Sequence, residues 1–379
     1  MSKLDNLGNV LIRSDLNVPI KNGEITDNFR ILKSVEILES ILDKSRTITF
    51  TSHMGRPNGK DLNLSLRPVA ESMSDFLGKE VRFIEEVFGE KVEEQIEKSE
   101  SKIFLLENLR FEKGEIENDK EFSNQITKPF NSYIFDAFGA AHREHASVVS
   151  FGENLESFQG PLMDKEIHEL DRLLNNSEFG YAVLLGGAKI SDKLNLIEKL
   201  LPKVEYLMVG GGMCFTLLKA LGHEIGRSLL EESFISKAEE LLNSRFGKKI
   251  ILPIDFGVTD SIDSSVRENV KLDDFKNNHI GVDIGPQTVS NFRKILKKSN
   301  NIFWNGPMGI FEKEAFSYGT KEITEIISNS SAYTCIGGGD SVSAINKFSD
   351  KKNFNHISTG GGASLEYLEG KKLPGVNKY

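Results

Sequence analysis

A chain of 379 residues, 27% charged and 39% hydrophobic, has room for two domains at roughly 100–200 residues each. Its 47 Lys+Arg against 56 Asp+Glu give a formal charge of −9, which argues against a dedicated nucleic-acid binder. With 2 cysteines, no apolar run near the ~18 residues of a membrane span and no signal-like start, the chain is expected to be a soluble cytosolic protein without disulfides. In chain order, short apolar and β-branched runs predict strands at Asn9–Ile12, Thr47–Thr51, Val81–Ile84, Ile103–Leu106 and Tyr133–Phe135. A second series follows at Tyr181–Leu185, Tyr206–Val209, Ile250–Ile254, Ile302–Trp304, Ala332–Ile336 and Asn355–Ser358. Helical spacing fills the intervals, for example Arg30–Leu42 and Leu66–Leu77, and the Glu-rich stretch Phe83–Glu100 predicts a solvated helical face. Strands without a polar face, alternating with helices, predict parallel sheets covered on both sides. The series occurs twice, so two Rossmann-like α/β domains are expected. Gly160-Pro161 opens an amphipathic helix that ends near Asn175-Asn176. Domains at 1–160 and 177–366, joined by a helix over 161–176, follow from this reading.

In open parallel sheets, ligands bind beyond the carboxyl ends of the strands. In the second half those ends run into Gly186-Gly187, Gly210-Gly211-Gly212, Asn305-Gly306-Pro307, Gly337-Gly338-Gly339-Asp340 and Gly360-Gly361-Gly362. Five such turns predict a floor of backbone N–H groups suited to a phosphate-bearing ligand. No P-loop, G-x-G-x-x-G or H-R-D motif occurs, which counts against P-loop NTPases, protein kinases and ordinary nicotinamide-binding folds. Lys189 and Lys193 are expected on one face at the start of a helix over Ser191–Leu201, where they could hold terminal phosphates. Asp340 either caps the helix Ser341–Phe348 or serves as a magnesium ligand; spacing leaves both open.

The first half carries arginine at the same kind of rim. Of the 13 arginines, eight lie in the first 143 residues. Strand ends lead into Asp15-Leu16-Asn17, Ser52-His53-Met54-Gly55-Arg56, Glu107-Asn108-Leu109-Arg110 and the segment Asp136–Arg143, while Arg30 opens a helix. Planar guanidinium forks at one sheet rim predict a pocket for a small, multiply anionic metabolite. His142 and His145 have metal-like spacing but no third ligand nearby, so capping and hydrogen bonding explain them better. Cys214 and Cys335 read as small core residues.

Nine phrases, taken in order, resemble phosphoglycerate kinase over essentially the whole chain. They are RSDLNVPI (13–20), SHMGRP (52–57), LLENLRF (105–111), DAFGAAHREHAS (136–147), GGAKISDK (186–193), GGGMCFT (210–216), WNGPMGIFE (304–312), GGGDS (337–341) and STGGGASLEYLEGKKLPGV (358–376). The resemblance implies a first domain that holds 3-phosphoglycerate and a second that holds Mg-ADP or Mg-ATP across a hinged cleft. It implies reversible phosphoryl transfer from ATP to the carboxylate of 3-phosphoglycerate, giving 1,3-bisphosphoglycerate, in a cytoplasmic monomer without nucleic-acid or membrane partners. Substrate contacts then fall on Asp15, Leu16, Asn17, Arg30, His53, Met54, Gly55, Arg56, Arg110 and Arg143. Nucleotide contacts fall on Gly187, Lys189, Lys193, Gly211, Gly212, Pro307, Ile310, Glu312, Gly338, Gly339, Asp340 and Ser341, with Asp340 associated with Mg2+. Arg30 and Lys189, helped by N–H groups around Gly338 and Gly361, take the catalytic task of charge stabilisation. Departures are small: Leu16 for an aromatic, Met54 for Leu, Ala140 for Thr and Ser341 for Thr. The short tail, 367–379, is expected to return to the first domain.

Overall fold

The structure, a computed structural model, describes residues 6–21, 23–175, 179–376 and 378. Asn176, at the expected end of the linking helix, and Asn377 and Tyr379, in the expected tail, lie outside the described residues. By contacts the chain resolves into two units, one reaching to His168 and taking in the tail from Lys372, the other running Glu169–Lys371. Both are α/β.

In the first unit six strands form one sheet: β1 (Gly8–Ser14), β2 (Ser45–Thr51), β3 (Val81–Ile84), β4 (Ile103–Leu106), β5 (Ser132–Asp136) and β6 (Glu156–Gln159). Their order is β3-β4-β2-β1-β5-β6, and every pairing is parallel. Val10, Leu11 and Ile12 of β1 are wholly buried, as expected of a central strand covered on both faces. β2 and β5 flank β1, so the chain leaves it in opposite directions, which makes a topological switch point. Arg13 pairs in register with Thr51 and with Phe135, so the segments after β1, β2 and β5 emerge at one rim.

The second unit has β7 (Tyr181–Leu185), β8 (Tyr206–Val209), β9 (Ile250–Ile251), β13 (Asn301–Asn305), β14 (Tyr333–Gly337) and β15 (His356–Ile357) in the parallel order β9-β8-β7-β13-β14-β15. Leu185, Val209, Asn305 and Gly337 are level across the sheet. The glycine turns that follow therefore start side by side. A second, antiparallel sheet of β10 (Asp255–Thr259), β11 (Glu268–Lys271) and β12 (Ile280–Ile284) has the order β11-β10-β12. It was not expected, because β11 buries only Val270 and its polar residues give no apolar run.

Helix α1 (Phe29–Val35) carries Arg30 in its first turn, and a second piece, Leu38–Ile41, replaces the single helix expected through Leu42. The expected solvated helix is Glu90–Lys98, while Phe83 and Ile84 belong to β3. β9 stops at Ile251, short of Ile254, since Pro253 has no N–H to give a ladder.

Helix α2 (Pro161–Asn175) spans the division between the units. Its start is tied to the first unit because Leu162 and Met163 donate their N–H groups to Asp136 Oδ1 at 2.8 and 3.2 Å. Its last turns are tied to the second: Tyr333 donates to Glu169, Tyr367 donates to Asp171 at 2.8 Å, and Arg172 stacks on the Tyr333 ring. The tail rejoins the first unit through Gly375 N–H, which donates to Ala141 O at 2.9 Å, and through Lys378, which donates to Val149 O at 2.5 Å. A side chain at Gly375 would strike Phe135, so this close approach requires glycine.

Candidate active site

The rim of the first sheet gathers its cations by hydrogen bonding to strand-end backbone. Arg30 Nη1 donates to Asp15 Oδ1 and to Asn17 O, both at 3.1 Å, which orients the guanidinium fork. Arg110 donates to Gly55 O at 2.5 Å, and the Asn17 side chain accepts the Gly55 N–H at 3.0 Å. Gly55 needs its φ of +59° there, and any Cβ would meet Leu64. Asn108 fastens the loops: its amide donates to Met54 O at 2.8 Å and Leu64 O at 2.9 Å, and its oxygen accepts from Met54 and Arg110. Burial, then the charge of Arg13, then Arg143 and Arg56 hold the Arg110 pKa down to about 10, with Glu115 opposing them. Burial first, then Arg13, Arg110, Arg30 and His145, hold His53 well below the usual histidine range. These groups repel one another. An excess of positive charge of this kind suits an anionic ligand.

In the second unit the glycine turns pack backbone on backbone. Gly187 N–H donates to Pro307 O at 2.9 Å and Gly211 N–H to Met308 O at 3.0 Å. A Cβ on Gly186 would lie 2.1 Å from Pro307 O, and one on Gly211 2.6 Å from Gly187. The expected floor of free N–H groups is thus corrected for Gly187 and Gly211, whose donors tie loop to loop. Beside these turns lies a cavity of about 400 Å³, walled by Phe215, Phe256, Leu229, Val282 and Met308, with Glu312 and Asp340 at its polar part. Gly187, Gly211, Gly212, Pro307 and Ile310 also line it.

Lys193 is nearly buried and donates to the Asn305 side chain, and burial lowers its pKa to about 8 against the pull of Asp192 and Asp340. The other Asn305 amide atom, Nδ2, has no hydrogen-bond partner among the described residues and faces the Gly338 backbone. Lys189 is exposed and makes no ion pair among the described residues. Two expectations are corrected here. Helix α3 (Leu194–Leu200) begins after Lys193, which is its N-cap, so the two lysines do not share a helical face. The cause is Glu231, whose carboxylate accepts Ser191 N–H at 3.0 Å and Ser191 Oγ–H at 2.6 Å, drawing the segment into turns. Asp340 does not cap helix α4 (Gly339–Phe348): Gly338, at φ +89°, is the N-cap and Asp340 stands in the first turn. Ser341 Oγ accepts the Gly306 N–H at 2.6 Å, so its hydroxyl also joins loops.

A family model described as "Phosphoglycerate kinase" matches residues 4–371. The chain belongs to the phosphoglycerate kinase family. It is 45% identical over 372 residues to a phosphoglycerate kinase of Dictyoglomus turgidum, covering 97% of this chain and 94% of the relative. To one of Salinispora arenicola it is 45% identical over 377 residues, with the same coverage. A solved phosphoglycerate kinase from Coxiella burnetii superposes with a TM-score of 0.85 at 36% identity, covering 99% of this chain and 97% of that one. One from Pyrococcus horikoshii gives 0.86 at 30% identity, covering 98% and 96%.

Seen with the family in hand, Asp15, Asn17, Arg30, His53, Gly55 and Arg110 share bonds or electrostatic contact at the first rim, and Arg56 and Arg143 stand exposed close enough to act on Arg110. Leu16 and Met54 are buried beneath it. Lys189, Lys193, Gly338, Gly339 and Ser341 do not line the apolar cavity. Gly361, at φ +54°, is the N-cap of helix α5 (Gly362–Leu368). Residue-by-residue reading missed Arg13, Asn108 and Asn305, although all three lie inside quoted phrases. It also missed the apolar walls, which come partly from the unexpected antiparallel sheet.

Proposed function

We propose that the arginine rim of the first unit holds 3-phosphoglycerate and that the glycine turns and cavity of the second hold ATP or ADP. The observation that carries this is the mutual repulsion of Arg13, Arg56, Arg110 and Arg143, which a ligand with a phosphate and a carboxylate would relieve. The reaction is that of the family: reversible, Mg-dependent phosphoryl transfer between ATP and the carboxylate of 3-phosphoglycerate.

A carboxylate nucleophile, with a pKa near ~4, is ionised at neutral pH and needs no general base. The protein's task is to offset repulsion between acid and triphosphate, then to stabilise charge on the transferring group. Arg30, oriented by Asp15, takes that task from the acceptor side. Lys189 takes it from the donor side, with N–H groups at Gly338 and Gly361. Lys193, held by Asn305, follows the phosphates. Glu312 accepts the ribose hydroxyls, and the Phe215–Phe256–Val282 wall takes the base. Gly187, Gly211, Gly212, Pro307 and Ile310 shape the slot.

Asp340 would hold Mg2+. Among the described residues no three His, Cys, Asp or Glu side chains come together as a cage. A single carboxylate beside a phosphate site fits a cation that keeps several waters and takes substrate oxygens. When bound, the ion neutralises phosphate charge.

Transfer brings acid and nucleotide into line, a step to which the joining helix α2 contributes as a hinge. The enzyme is read as a cytoplasmic monomer. A coupled assay of ATP-dependent 3-phosphoglycerate phosphorylation tests the function. Turnover supports it; a folded chain with ligand binding and no turnover would make it a binding protein on this fold.

A further inference from the structure

Beneath the first rim lies a buried polar chain that the proposed mechanism does not use. Glu115, on the short helix Lys113–Ile116, is 0% exposed. Its carboxylate accepts Ser147 N–H at 2.9 Å and Ser147 Oγ–H at 2.7 Å, with His145 Nδ1 at 3.6 Å. Ser147 Oγ in turn accepts from Arg13 Nε at 2.9 Å. Arg13 is 1% exposed, makes no ion pair among the described residues, and places Nη2 2.9 Å from His53 Nδ1. Tyr133 closes the base of the chain by donating to Ser147 O.

The direction of each bond follows from chemistry. A guanidinium has only donors, so His53 Nδ1 must be the acceptor and its proton must sit on Nε2. Arg13 is held at Nε by Ser147 Oγ and at Nη1 by Ser14 O, with Ser52 Oγ at 3.4 Å, and the Ser147 hydroxyl accepts at Nε while its own proton goes to another acceptor. Glu115 takes that proton. The carboxylate also places a negative charge that acts on Arg13. Three other groups act on these partners, Arg110, Arg30 and His145 on His53 and His145 also on Glu115, and none offers His53 Nδ1 an acceptor.

We propose that Glu115 is a positioning residue that, through Ser147 and Arg13, fixes His53 as the neutral Nε2–H tautomer. A neutral ring locked this way presents a donor to an anionic ligand instead of a lone pair. The consequence for catalysis rests on the acid-site reading above; the tautomer does not. Burial of Glu115 would raise its pKa, but His145, Arg13 and Ser147 together bring it below the usual carboxylate range, in keeping with a permanent anion.

The test is 15N-detected NMR of the His53 ring in the full chain without ligand at pH 7, in wild type, Glu115→Gln and Ser147→Ala. Wild type should show a pyridine-like Nδ1 and a protonated Nε2. Glu115→Gln keeps the shape and removes the charge, and Ser147→Ala cuts the hydroxyl link while leaving the backbone N–H on Glu115. Both should give mixed tautomers and weaken 3-phosphoglycerate by about 10- to 100-fold, the span of a lost hydrogen bond to a charged group, with the KM for ATP unchanged. A wild-type ring protonated on Nδ1, or a tautomer unchanged in a folded Ser147→Ala protein, overturns the proposal. Mixed tautomers with unchanged 3-phosphoglycerate affinity uphold the chain of bonds and overturn the assignment of His53 to the ligand.

Discussion

Replacing Lys193 by Met should make the ligand-free protein more stable while making it a poorer enzyme. Lys193 is 9% exposed, bonded to a neutral amide, and its pKa falls from 10.5 to about 8, chiefly through burial. At about 1.4 kcal/mol per pKa unit, holding the ammonium in the fold at pH 7 costs about 3 kcal/mol. Losing the Asn305 bond returns about 1 kcal/mol of this, so a net gain of about 2 kcal/mol is expected for Lys193→Met. The sign is fixed by the lowered pKa. The unfolded chain binds the extra proton between pH 8 and 10.5, so wild-type stability rises with pH across that window and is at its lower level below it. The advantage of Lys193→Met should therefore be full at pH 7 and shrink towards pH 10. Denaturant melts of both proteins at pH 7, 8.5 and 10, without nucleotide, give the comparison. The same variant should bind ADP at least about tenfold more weakly, since a charged contact to phosphate is lost. A variant less stable than wild type at pH 7, or a difference that does not change with pH, would refute the reasoning.

Arg30→Ala should lower kcat by about 10²- to 10³-fold, the usual cost of one charge-stabilising donor, with an unchanged circular dichroism spectrum; near-normal turnover would remove Arg30 from the central role. Glu312→Ala should raise the KM for ATP while leaving kcat within about threefold, because it acts on bound nucleotide in ground and transition states alike; steady-state kinetics separate the two. Asp136, whose pKa burial raises from 3.8 to about 7 against the Leu162 and Met163 N–H bonds, should make stability fall as pH rises from about 4 to about 7. Melts of Asp136→Asn over the same range should show a smaller fall, the remainder coming from Asp283, whose pKa burial also raises to about 7.

The two parallel sheets were legible because their strands are apolar on both faces. Val10–Ile12 and Tyr181–Leu185 have no competing pattern, and the glycines after them mark the turns. Of the residues singled out from the sequence, Arg30 and Arg110 meet Asp15, Asn17 and Gly55 at the first rim, and Asp340 lines the cavity of the second unit. What was hidden depends on partners remote in sequence. Glu231 pulls Ser191 out of a helix from 40 residues away, which no local periodicity reports. Glu268–Lys271 looks like loop because one face of β11 is in water. Asn305 reads as a turn residue until Lys193 is found against it. The roles of Gly187 and Gly211 were inverted for a related reason: glycine signals close backbone approach, but only the fold shows whether ligand or a neighbouring loop approaches.

The central claim is that the arginine rim reads a phosphate on the acceptor, so the most direct measurement compares kcat/KM for 3-phosphoglycerate and for unphosphorylated glycerate with saturating MgATP. A rim with Arg56, Arg110 and Arg143 left unbalanced should reject glycerate by on the order of 10⁴-fold, as sites built to bond a missing group do. Comparable values for the two acids would contradict the account.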